Sequence, residues 1–119
     1  MANILIVDDS RTSRKMLRRI LEEAGHTIIG EAVNGEDGYL KYMELKPDVV
    51  TLDITMPKMD GLEALRLIRK FDGEAVAVMI TAAGQKEKMI LAIKSGAADF
   101  ISKPYEPNDV LWVIDKCMK

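Results

Sequence analysis

Five short apolar runs alternate with five amphipathic stretches of helical period, and that alternation leaves few folds open to this chain. The runs predict strands at Asn3 to Val7, Thr27 to Ala32, Val49 to Asp53, Ala75 to Thr81 and Asp99 to Ser102. Three of them are nearly continuous in apolar residues, as parallel strands covered on both faces should be. Right-handed crossovers then give a three-layer, doubly wound (βα)5 fold of class α/β. The expected order of its five parallel strands, 2-1-3-4-5, is carried over from a common doubly wound arrangement, not worked out from these residues. That order sets strands one and three side by side at a topological switch point.

The intervening helices follow from periodicity and stop signals. Met16, Leu17, Ile20, Leu21 and Ala24 make one apolar stripe, which Gly25 ends. Arg11, Arg14, Lys15, Arg18 and Arg19 fall mostly outside it and read as a solvated face. A second helix is expected near Glu36 to Leu45, although Gly38 in its interior costs about 1 kcal/mol against alanine. Leu62, Leu65 and Ile68 mark the third, with Asp60 as its N-cap. Lys86 to Ser95 and Asn108 to Met118 are the fourth and fifth. In the fifth, Val110, Val113, Ile114 and Cys117 share a face and Trp112 projects nearly opposite. With Leu111 beside it, Trp112 is either an anchor for a partner or an aromatic folded across neighbouring helices.

Polar residues close the strand runs. Asp8 and Asp9 end the first, Asp53 the third and Thr81 the fourth, and Lys103 follows the fifth. Taken singly, a strand-end aspartate is a turn or cap residue, Lys-Pro is a loop, and Thr81 is a hydroxyl satisfying backbone. Together, at successive ends of one parallel sheet, they converge on the crevice where such sheets bind ligands. Carboxylates within about 5 Å of one another repel by roughly 3 kcal/mol per pair at an effective dielectric near 20. One lysine does not offset three such pairs, so a carboxylate takes a proton or a cation binds. An all-oxygen, open site suits Mg²⁺, or Mn²⁺. Magnesium uses one or two carboxylates and keeps several waters, which leaves a carboxylate free to act as a nucleophile in phosphoryl transfer.

Composition narrows the partners. The 119 residues fit one domain, 1–119, and a net charge of −2 attracts neither nucleic acid nor an anionic membrane. No apolar stretch is long enough to span a bilayer, and the start Met1-Ala2-Asn3 lacks a signal-peptide pattern. The single cysteine, Cys117, reads as a small apolar residue, and these features together favour the cytoplasm. The only histidine, His26, reads as a surface residue remote from the crevice.

The segments Ile4-Leu5-Ile6-Val7-Asp8-Asp9-Ser10, Asp53-Ile54-Thr55-Met56-Pro57-Lys58-Met59-Asp60-Gly61, Thr81-Ala82 and Lys103-Pro104 resemble the receiver domains of two-component response regulators. The resemblance extends especially to the single-domain, CheY-like chemotaxis members, and the implied fold is the flavodoxin-like one. The resemblance implies that Asp53 accepts a phosphoryl group from a phosphohistidine on a sensor histidine kinase. Asp8 and Asp9 would hold Mg²⁺, Asp9 directly and Asp8 partly through water, with Asp53 and the Thr55 backbone carbonyl completing the protein ligands. Lys103 and Thr81 would contact phosphoryl oxygens, and the Lys103–Pro104 bond would be cis. Phe100 stands where many receivers carry a switching aromatic, and Thr55 and Ala83 stand where phosphoryl lifetime is tuned. The implied protein is a monomeric signalling phosphoacceptor, not a turnover enzyme, whose helix 4–strand 5–helix 5 face controls a partner. Three outputs are consistent with this: a flagellar motor switch protein in chemotaxis, relay to a histidine phosphotransfer protein, or a receiver excised from a larger regulator.

Two rivals come from other classes. A haloacid-dehalogenase-like phosphatase also uses a strand-end aspartate, but it needs a second carboxylate two residues on, where this chain has Thr55. A flavodoxin-like flavin binder would present hydroxyls and amides to a phosphate after strand one, where Asp8 and Asp9 instead repel it.

Overall fold

The structure is a computed structural model that describes residues 1–119. Ten elements alternate along the chain: β1 (Asn3–Val7), α1 (Arg11–Glu23), β2 (Thr27–Ala32), α2 (Gly35–Leu45), β3 (Val49–Asp53), α3 (Gly61–Phe71), β4 (Ala77–Thr81), α4 (Lys86–Lys94), β5 (Asp99–Ser102) and α5 (Pro107–Cys117). All strand pairs are parallel and the order is β2-β1-β3-β4-β5, as expected. No helix is long and apolar enough to cross a membrane.

The sheet separates two apolar layers. On one side Tyr42 of α2, Leu62, Leu65 and Ile68 of α3 and Ala92 of α4 pack on Leu5, Val7, Val50, Leu52 and Met79. On the other, Leu17 and Leu21 of α1 and Val110, Val113 and Ile114 of α5 pack on Ile4, Ile6, Val49, Val78 and Ile80. The side chains of successive strand residues enter opposite layers, so covering both faces requires the continuous apolar runs seen in the sequence.

Several expectations need correction. β4 begins at Ala77, not Ala75, because the Ala75 N–H closes a turn on the Asp72 carbonyl at 3.1 Å and is unavailable to the sheet. Met16 is half-exposed, not part of the buried stripe, which narrows to Leu17 and Leu21. Gly38 is not a weak point of α2. A Cβ there would lie 2.7 Å from Val7 Cγ1, so its absence lets the helix backbone press onto β1. Asn34 caps this helix, accepting from Asp37 N at 2.8 Å, and Lys46 ends it in the left-handed region at φ 46°. Arg14 is not on a solvated face: its Nε pairs with Glu31 at 3.0 Å and its guanidinium donates to the Asp8 carbonyl at 2.7 Å.

His26 also departs from its reading as a surface residue. It is half-buried, and its Nδ1 accepts from Ala2 N at 3.1 Å. Burial, first, and the nearby amino terminus hold its pKa below the ordinary value, which keeps Nδ1 free to accept. Trp112, left open between two readings, is 65% exposed, with Lys116 Nζ 4.0 Å from its ring centroid. Leu111 is half-buried and packs against the α1–α5 layer. Cys117 is a free thiol packed against the same layer, and burial raises its pKa.

Candidate functional site

Register brings the strand ends together. Val7 lies opposite Leu52 in the β1–β3 pair, so the next residues, Asp8 and Asp53, are neighbours across it. Asp53 is opposite Ile80, and Thr81 is opposite Ser102. Asp8, Asp9 and Asp53 each offer a carboxylate oxygen, and these oxygens lie within 4.8 Å of one another. Lys103 Nζ is 3.5 Å from Asp53 Oδ2 and 3.8 Å from Asp8 Oδ2. Asp8 and Asp53 are buried and Asp9 is exposed, so the cluster opens to solvent on one side.

Local structure holds each member. Asp8 N donates to Ala32 O at 3.0 Å, which extends the β1–β2 ladder by one rung. Its carboxylate accepts from Ser10 N at 2.8 Å, and Ser10 in turn caps α1 by accepting from Ser13 N. Asp53 ends β3, where the chain turns so tightly that a Cβ on Gly61 would lie 2.1 Å from the Asp53 carbonyl oxygen. That approach accounts for glycine at position 61. The same turn contains Lys58 at φ 64° and a Met59 N–H bond to Pro57 O of 2.7 Å. Thr55 is exposed at the start of this loop. Lys103 N donates to Thr81 O at 2.7 Å, and the Lys103–Pro104 peptide is cis.

The electrostatics are unfavourable as they stand. Asp53 is pushed up to about 6, first by burial and then by the Asp8 charge, against the opposing pull of Lys103. A carboxylate raised this far in a group of three with one ammonium favours a proton or a cation. The donor set is oxygen only, with an open side for water, and fits a small hard divalent ion better than zinc or copper.

Thr81 is buried, and its hydroxyl donates to Ser102 Oγ at 3.4 Å, across to β5 and not toward Asp53. Phe100 is half-buried against the α2–α4 layer. Four site neighbours escaped the sequence reading. Ser102 holds Thr81, Arg14 holds the Asp8 carbonyl, and Gln85 bridges Ala82 N and Thr55 Oγ1. Tyr105 is half-buried, its pKa raised first by burial and then by the Asp8 and Asp53 charges. Arg14 carried a weak signal, being four residues after Ser10 on the helix that follows the aspartates. The others depend on loop paths that periodicity does not encode.

The known family whose sequence profile matches is the response regulator receiver domain, over residues 4–115. The chain is 47% identical over 116 residues to a chemotaxis protein CheY of Thermotoga maritima, covering 98% of this chain and 97% of that one. It is 46% identical over 119 residues to a chemotaxis protein CheY of Listeria monocytogenes, covering all of both. Among solved structures it resembles the crystal structure of the CheX–CheY–BeF3–Mg complex from Borrelia burgdorferi, with a TM-score of 0.94 and 40% identity over 98% of this chain and 89% of that one.

Proposed function

Because this chain belongs to the response regulator receiver family, we propose that it is a chemotaxis response regulator phosphorylated on Asp53. One observation carries the reading: a buried carboxylate at a strand end, within 4.8 Å of two more carboxylates and 3.5 Å from a lysine ammonium. An Asp53 oxygen attacks the phosphorus of a kinase phosphohistidine. The new O–P bond forms as the N–P bond breaks, and the electron pair leaves with the imidazole. Asp8, Asp9, Asp53 and the Thr55 carbonyl would hold Mg²⁺, which neutralises charge on the transferring group when bound. Lys103 already sits where a phosphoryl oxygen on Asp53 would need a cation.

Thr81 is the switch in this reading. Its hydroxyl leaves Ser102 for a phosphoryl oxygen, and Phe100 turns into the space it vacates. The α4–β5–α5 face, with Trp112 exposed on it, then changes shape for a downstream protein. Leu111, expected beside it, packs toward α1 and lies off that face. A motor switch component is the favoured partner class, with a sensor histidine kinase upstream, a monomeric receiver over residues 1–119 and a cytoplasmic site of action. Hydrolysis at Asp53 resets the protein without an external enzyme. That the Borrelia CheY was crystallised with BeF3 and magnesium supports a phosphoryl-responsive site of this kind.

Acetyl phosphate with Mg²⁺ tests the reading by intact-mass analysis. The native protein should gain the mass of one phosphoryl group, and Asp53→Asn should gain none. Labelling that persists in Asp53→Asn would sink the assignment.

A further inference from the structure

Gln85 lies in the loop before α4, outside every motif recognised in the sequence. In a parallel pair, alternate residues of a strand turn both N–H and C=O toward the same neighbour. Ile80 faces β3 in this way, its carbonyl accepting from Ile54 N at 3.2 Å. Ala82, two residues on, therefore presents its N–H to the same side. The acceptor that a continued ladder would supply, the Ile54 carbonyl, is turned to Gly61 N at 2.8 Å. The Gln85 amide fills the place. Its Oε1 accepts from Ala82 N at 2.6 Å, and its Nε2 donates to Thr55 Oγ1. One primary amide thus stands in for a peptide rung between the continuations of β3 and β4. The loop is shaped for it: Gly84 takes φ 85°, and Gln85 N returns to Ala82 O at 3.3 Å.

The rung lies beside the acidic cluster. Thr55 follows Asp53 by two residues, and Ala82 adjoins Thr81. A phosphoryl group on Asp53 would bring three acceptor oxygens to this edge, and Ala82 N–H, turned to the β3 side and held by Gln85, is a backbone donor there. We propose that Gln85 is a positioning residue, a detachable rung that ties the β4–α4 loop to the β3–α3 loop at rest and must release Ala82 N–H as the phosphoryl group arrives. The proposal rests on Asp53 being the phosphoacceptor. Removing the rung favours the released loop by about three- to tenfold, the factor set by one ordinary hydrogen bond. Phosphorylation from a small donor should quicken by a similar factor.

The test uses amide exchange at Ala82 in the full chain, metal-free and unphosphorylated, followed by initial rates with acetyl phosphate and Mg²⁺. Gln85→Ala should speed both. Gln85→Glu keeps the acceptor for Ala82 N–H but loses the donor to Thr55, so it should hold Ala82 exchange near the native value. In a double-mutant cycle, Thr55→Val should add little to Gln85→Ala, because both remove the same bridge. Ala82 exchange unchanged in Gln85→Ala would overturn the rung itself. Faster exchange with an unaltered phosphorylation rate would overturn its part in gating. If the native protein takes up no phosphoryl group, the phosphoacceptor reading fails and the gating with it, while the exchange comparison still decides whether the rung exists.

Discussion

The two ends of the sheet are built on opposite principles. At the amino-terminal edge polar groups are paired. Asn3 N donates to Asp48 Oδ2 at 2.8 Å, Asp48 N donates to Asn3 O at 2.8 Å, and Ala2 N donates to His26 Nδ1 at 3.1 Å. At the carboxyl-terminal edge three carboxylates crowd one ammonium, and Asp53 is raised to about 6. The first edge contributes stability. The second holds unrelieved repulsion, which a bound cation or a proton removes. The difference teaches where a parallel sheet places its chemistry: the end whose charges are mismatched in isolation is the end made to receive something.

The strongest way to break this contrast is to vary pH without metal. Asp53 has its folded pKa raised from 3.8 to about 6, so its protonated form favours the folded state. That contribution is fully present below about pH 3.8 and is lost as pH rises through about 6. In EDTA near neutral pH, Asp53→Asn should therefore exceed the native protein in stability by up to about 3 kcal/mol, with the gap closing on acidification across that window. Urea unfolding at a series of pH values measures it, and a pH-independent gap would mean that the repulsion does not act through Asp53.

Magnesium sharpens the same point. At about 100 times its Kd, Mg²⁺ should stabilise the native protein by about 2.7 kcal/mol. Thermal unfolding should show that shift much reduced in Asp9→Asn, which deletes the exposed carboxylate of the cluster.

The amino-terminal edge should answer differently. Asp48→Ala removes the acceptor for Asn3 N and should cost about 1 kcal/mol, while leaving the Mg²⁺-induced shift as it was. A change in metal response from that distance would blur the division between the edges.

The smallest effect lies between them. Thr51, in the middle of β3, buries a hydroxyl with no hydrogen-bond partner. Thr51→Val keeps its shape and should gain about 0.5–1 kcal/mol in urea unfolding, again with the Mg²⁺ response intact.

Much of the fold and site could be read from the chain because strand periodicity and strand ends are local properties. Runs such as Ile4 to Val7 and, Thr51 apart, Val49 to Leu52 are apolar because both faces of each strand are covered. The first polar residue after each run therefore marks the carboxyl edge, and Asp8, Asp53 and Thr81 were found that way. The rest depended on neighbours distant in sequence. Gly38 reads from the sequence as a costly interior glycine of α2, and its reason appears only with Val7 Cγ1 2.7 Å from its would-be Cβ. Arg14 looked solvated until Glu31 and the Asp8 carbonyl came within reach.

What the residues determined alone was the alternation of elements, the two-sided burial of the strands and the set of side chains at the carboxyl-terminal edge, since period and run length are written into consecutive positions. What only the assembled tertiary structure decided was the pairing at that edge: Thr81 turned to Ser102, Gln85 spanning Ala82 and Thr55, His26 accepting from Ala2. Hydrogen bonds act over about 3 Å. Which groups come that close is set by crossovers and loop paths that no local stretch of chain specifies.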